Sequence, residues 1–161
     1  MQIRVIDCGF DEETGNTYVQ VRCELGDFIG HAYYNLEAEK FPPSNYVGIE
    51  IATARAYIAA YKYALNNLKQ QLKGLKRLES SCGNNEIVFS YLNKTKKSIL
   101  TDMNYYKTLI KECNGTIKTT KDARSLYIRS RSTDRKEKDK YLKQIQQGIK
   151  DLGQLSSKEN K

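Results

Sequence analysis

VGIEIATARAYIAAYKYAL, Val47–Leu65, is the stretch on which the fold turns. Its apolar residues recur every third and fourth position. Ile51, Ala54, Ile58, Tyr61, Leu65, Leu68, Leu72 and Leu75 continue those steps as one heptad seam, with Lys and Gln on the other faces from Lys62 to Lys76. That periodicity predicts a long helix beginning near Val47. Cys82-Gly83 followed by Asn84-Asn85 closes it and opens another.

Upstream the period is two. In residues 17–24, Val19, Val21 and Cys23 face one way, while Tyr18, Gln20, Arg22 and Glu24 face the other, as in a half-buried strand. Residues 2–8 alternate more loosely, with Ile3 and Val5 on one face, and 28–34 make a third strand. Asp11-Glu-Glu-Thr-Gly15-Asn is a turn in which Gly15 can take positive φ. Leu25-Gly26-Asp27 is a second, tighter turn. Phe41-Pro-Pro-Ser-Asn is a hinge, because proline lacks the amide that a helix interior or a central strand needs.

Downstream of the first helix a second seam runs through Val88, Leu92, Thr95, Ile99, Met103, Tyr106, Ile110 and Cys113, and Asn114-Gly115 reads as its stop. Thr119 with Asp122 caps a short helix to about residue 130. Asp134 with Glu137 caps another, carrying Tyr141, Leu142, Ile145, Ile149 and Leu152. Whether 119–155 forms one helix or two stays open at this point. The fold expected is α+β: an antiparallel three-stranded sheet packed on a long helix, followed by a C-terminal helical bundle. Its parts are an acidic sheet region (1–46), a basic region of three or four helices (47–155) and a disordered tail (156–161).

Charge follows the same division. Residues 1–46 hold three basic and eight acidic side chains, a net of −5, and residues 47–161 hold 24 and 11, a net of +13. Such a chain suits a polyanion, or a protein that binds one. The 39% hydrophobic content supports a modest core, and with no Trp, four Phe and twelve Tyr most of the aromatic surface ends in a hydroxyl. No apolar run nears the roughly 18–20 residues that span a bilayer, and Met1–Asp7 lacks a signal core. A cytoplasmic protein with four free thiols, Cys8, Cys23, Cys82 and Cys113, is expected.

Catalytic signals are sparse. Cys23 and His31 are a nucleophile–base pair only if neighbouring strands bring them side by side, and His31 otherwise reads as an ordinary sheet residue. Asp11-Glu12-Glu13 attracts a divalent ion or is simply solvated. No clustered metal ligands, phosphate loop, dinucleotide loop or nucleophile elbow occurs. The expectation is no enzyme, no metal and no cofactor.

Binding signals are stronger. Lys69, Lys73, Lys76 and Arg77 lie on outer faces of the first helix, and Lys94, Lys96 and Lys97 on the second. These lysines read first as a solvated face. Arg124, Arg129, Arg131 and Arg135 crowd the third region with Lys136, Lys138, Lys140 and Lys143. Tyr127 lies among them, placed to stack on a base. A solvated face with ion pairs to Asp134, Glu137 and Asp139 is the alternative, though arginine favours bidentate contacts. Tyr33, Tyr34 and Tyr46 flank the passage from sheet to helix, and Tyr57, Tyr61 and Tyr63 follow it. Tyr61 belongs to the seam, Tyr57 and Tyr63 suit the sheet side, and Tyr33 and Tyr34 are candidate partner contacts.

Ala56, Ala59, Ala60, Ala64 and Leu65 resemble the alanine-rich second helix of double-stranded-RNA-binding domains, which also follows three strands. The likeness covers about ten residues. Ala54-Arg55 stands where that family has a Lys pair, and that fold's first helix is missing. In composition and layout the whole chain resembles small phage accessory proteins, in particular the type II anti-CRISPR proteins that inhibit Cas9. The resemblance implies non-catalytic inhibition of a host defence nuclease by stoichiometric binding, and no family residue transfers. Direct DNA or RNA binding by the basic helices is the alternative, and self-assembly through the leucine seam is a third reading.

Overall fold

The computed structural model describes residues 1–35, 42–82 and 85–156; within the last helix, the side chains of 133, 135, 138, 141 and 148–156 lie outside that description. Three strands, β1 (Arg4–Phe10), β2 (Thr17–Cys23) and β3 (Gly26–Ala32), precede two helices, α1 (Asn45–Ser81) and α2 (Glu86–Ser156). The fold is α+β, an antiparallel sheet in the order β1-β2-β3 packed on a long helix and followed by a second long helix.

Register carries the period-two pattern into space. Thr17, Val19, Val21 and Cys23 pair with Ala32, Gly30, Phe28 and Gly26. These residues share one face, and it packs on α1. The opposite face carries Tyr18, Gln20, Arg22, Asp27, Ile29 and His31. β1 pairs with β2 through Val5↔Val21 and Asp7↔Gln20, so Ile6 is an inserted residue and the strand bulges there. Gly15 takes its expected positive φ of 70°, and Asp11 organises the turn: its Oδ1 accepts from the amides of Glu13 and Thr14, and its Oδ2 from the Thr14 hydroxyl. The second turn sits one residue earlier than expected, at Glu24-Leu25, because Gly26, at φ 126°, already pairs with Cys23.

α1 begins where the prolines end. Ser44 is its N-cap, accepting from the Val47 amide. The helix meets the sheet through a stripe of small residues. Ala52, Ala56 and Ala60 are fully buried, and a Cβ added to Gly30 would lie 2.0 Å from the Ala52 carbonyl oxygen. Val19, Val21, Ala32, Ile51, Ala52 and Ala56 form the core, with Ile3, Phe28, Val47, Tyr57 and Ile117 packed around it. Removing a large aliphatic side chain from water in such a site stabilises by about 1.5–3 kcal/mol. Tyr63 covers Phe28 of β3 at a ring separation of 5.6 Å.

The first part of α2 returns antiparallel along α1. Lys96 pairs with Glu79, Tyr106 meets Tyr61 at 6.0 Å, and the Thr120 hydroxyl donates to Glu50 Oε2 at 2.8 Å. Asn85 caps α2 by accepting from the Val88 amide. Leu92, Ile99, Met103 and Thr120 are its buried positions within this hairpin.

Two expectations are corrected here. Among the described residues there are two helices in place of three or four, and α2 runs through Asn114-Gly115 and through Ser130–Thr133 without a break. The seam does not stop at Cys113: Ile117 and Thr120 extend its steps and are held by the core and by Glu50, so packing overrides one glycine, whose helical penalty is about 1 kcal/mol. Gly115 does not take the positive φ that a stop requires. Thr119 caps nothing; its hydroxyl bonds back to the Gly115 carbonyl, as Thr95, Thr101, Thr108 and Thr116 bond back to theirs. By contacts the chain divides into two compact units, Met1–Lys121 and Asp122–Lys161. The expected tail begins at Ser156, the last residue of α2, and 157–161 lie outside the described residues. No helix among the described residues is long and apolar enough to cross a membrane.

Candidate functional site

Two surfaces collect the candidate residues, one in each unit. The first is the sheet face turned away from α1. Strand alternation puts Tyr18, Gln20, Arg22, Asp27, Ile29 and His31 there, and hydrogen bonds hold many of them in place. Arg22 grips Asp27 with two bonds of 2.7 Å, Gln20 reaches the same carboxylate, and the Tyr18 hydroxyl donates to Asp7 at 3.0 Å. Arg22 holds the Asp27 carboxyl below its ordinary range, and the bond to Asp7 raises the Tyr18 hydroxyl. The Tyr18 ring lies across Gly9, where a Cβ would come within 2.2 Å of it.

Tyr33 is 74% exposed and stacks on His31 at 6.0 Å. Tyr34 is half-buried: its ring rests on Gly15 and its amide donates to Asn16 Oδ1, so it fastens the β1–β2 turn to the strand exit. The two tyrosines are adjacent in sequence and differently employed. Residues 1–35 carry two basic and six acidic side chains, so this sheet lies in an acidic region.

The second surface is on α2 beyond Lys121. One helical turn before and one after Tyr127, Arg124 and Arg131 bring their guanidinium carbons to 5.7 and 5.6 Å from the ring centroid. Arg129 is not part of this group. At about 100° per residue it lies roughly 200° around the helix from Tyr127, in line with Lys136, Lys140 and Lys143. Those three lysines line a shallow groove with Asp139, Gln144 and Gln147. The Arg135 side chain lies outside the described residues. Thus Arg124, Tyr127 and Arg131 come together, Arg129 joins a lysine row, and Tyr33 pairs with His31 in the other unit. The sequence reading missed His31 as a surface partner of Tyr33, although their i, i+2 spacing at a strand end was the signal for it.

The other chemical candidates separate. Cys23 pairs with Gly26 and His31 with Tyr18, so they sit on opposite faces of the sheet and several residues apart along it. They do not form a nucleophile–base pair. Both Asp11 oxygens are engaged within their own turn. Among the described residues no group of three or more His, Cys, Asp or Glu is placed to hold a metal ion. Cys8, Cys23, Cys82 and Cys113 are free thiols.

No protein-family profile matches the chain, and no solved structure matches it. Over 101 aligned positions the chain is 34% identical to a bifunctional glycosyltransferase/methyltransferase of Fusobacterium nucleatum subsp. nucleatum; the match covers 57% of this chain and 16% of that protein. The chain thus spans about a sixth of the relative it matches.

Proposed function

We propose that the chain is a non-catalytic inhibitor that occupies a host defence nuclease of the Cas9 class by stoichiometric binding in the host cytoplasm. The observation that carries the reading is the open sheet face, acidic in its surroundings and knitted by Arg22–Asp27 and Tyr18–Asp7, with Tyr33 exposed beside it. Side chains already ordered lose little freedom on docking, and an exposed tyrosine is a frequent anchor. The channel in which a nuclease holds its nucleic acid is basic, so a rigid face flanked by the acidic turn residues Asp11, Glu12, Glu13 and Glu24 suits it, and the block is steric. The layout shared with type II anti-CRISPR proteins supports the same reading.

The test is capture on the immobilised chain from a lysate containing a Cas9-class nuclease, with and without prior nuclease digestion, read by mass spectrometry. Retention of the protein after digestion, and its loss with Tyr33→Ala, is the expected result. Recovery of nucleic acid alone, lost on digestion, refutes the inhibitor reading. A second reading, direct nucleic-acid binding, is favoured by the Arg124–Tyr127–Arg131 group.

A further inference from the structure

The basic residues of α2 beyond Lys121 are distributed in two rows. Arg124 and Arg131 lie roughly 50° from Tyr127 around the helix, and Arg129, Lys136, Lys140 and Lys143 lie near 190°, so the rows are about 140° apart. Asp134 and Glu137 fall on the far side of the helix. Among the residues whose side chains are described, the shorter arc between the rows carries Ile128, Ser132, Asp139 and Gln146, and Asp139 is the charged group of these four.

Each row has its own order. Both guanidiniums of the first lie over one ring, which reduces the freedom lost when they meet an anion. Two arginines seven residues apart are about 10 Å apart along the helix, which lets both reach phosphates of one strand. The guanidiniums of Arg124 and Arg131 share the Tyr127 ring, so part of it is engaged in holding them. Tyr127 thereby gains a positioning part beside the stacking one, and single strands, whose binding depends on fully open rings, gain less from it.

We propose that residues 122–147 of α2 bind duplex DNA in the major groove, with the two basic rows on the phosphates of the two strands and Ser132, Asp139 and Gln146 toward the base edges. A helix of about 10–12 Å diameter fills a groove about 12 Å wide, and rows on its two flanks then meet both backbones. Serine, aspartate and glutamine are side chains that pair with base edges there. The major groove of duplex RNA is too deep and narrow for the same placement. The helix binds DNA whether or not the sheet face holds a protein.

The experiment is fluorescence anisotropy of a labelled 20-base-pair DNA duplex of mixed sequence with the full chain, from 50 to 200 mM salt. With six cationic contacts the logarithm of affinity falls against the logarithm of salt with a slope of about −5, a loss of about 1000-fold across that range. R124Q/R131Q lowers the slope's magnitude by about 2, and K136Q/K140Q/K143Q by about 3. A reading that needs no variant is lysine acetylation of the native chain: duplex protects Lys136, Lys140 and Lys143 and leaves Lys69, Lys73 and Lys76 of α1 reactive. Absence of duplex binding at 50 mM salt overturns the proposal. So does protection of the α1 lysines instead, or binding to single-stranded DNA or duplex RNA as tight as to duplex DNA.

Discussion

The layer where α1 crosses the sheet and the stretch where α2 carries Asn114-Gly115 treat glycine in opposite ways. At Gly30 the absence of a side chain is the contact itself, since the Ala52 carbonyl and Ala56 amide occupy the space a Cβ would need. Gly48 is similar, facing the Thr17 side chain at 2.2 Å from its would-be Cβ. At Gly74 and Gly115 a Cβ meets nothing within 4 Å, and neither residue uses its freedom of φ. The difference shows that a glycine is informative where two backbones converge and is merely tolerated along an exposed helix face.

The strongest way to break this contrast is Gly30→Val. Backbone cannot yield as a flexible side chain can, so the expected loss is about 3 kcal/mol or more, read as a fall in the urea midpoint. A midpoint within experimental error of the parent would mean that α1 does not press on the sheet at this point. Ile99→Ala comes next, testing the helical hairpin instead of the sheet. Its side chain is 7% exposed, and truncation leaves a cavity worth about 3 kcal/mol. Gly74→Ala and Gly115→Ala run the other way, each raising stability by about 1 kcal/mol and adding when combined. A loss at Gly115 would show that α2 does turn there.

The smallest effect is read through pH. Burial pushes the Tyr61 and Tyr106 hydroxyls above their ordinary value of 10.0 and the Cys113 thiol above 9.0. The folded chain therefore keeps these protons over a window in which the unfolded chain has lost them. Their contribution is whole below about pH 9 and declines as pH rises through 9.0 and 10.0 toward the folded values. Urea midpoints taken between pH 8 and 11 are expected to fall, and less so in Tyr61→Phe, which has no proton to lose. An equal slope in that variant would remove Tyr61 from the cause.

The sheet and α1 were legible in the sequence because their signals are local. Alternation at 17–23 fixed which residues face the core, the seam from Ile51 to Leu75 fixed the first helix, and Gly15 took the φ expected of it. The C-terminal third was misread because its decisive interactions are remote in sequence. Nothing near Asn114-Gly115 announces that Thr120 will bond to Glu50 or that Ile117 will reach the core, and those contacts carry the helix onward. The candidate site was half legible. Arginine and tyrosine at i, i+3 and i+7 predict neighbours, yet Arg129 was grouped with Arg124 and Arg131 because density along the chain was read without its angle around the helix.

The extra residue at Ile6 bears on behaviour at high concentration. β1 is an outer strand, and a straight outer strand displays unpaired amides and carbonyls in a regular row that a second molecule can continue. Inserting Ile6 between the pairs Val5↔Val21 and Asp7↔Gln20 twists that row out of step, and a carboxylate follows directly after it. The irregularity makes this edge a poor template for strand addition, so β1 can border an open sheet face without inviting a second molecule to extend the ladder on its side.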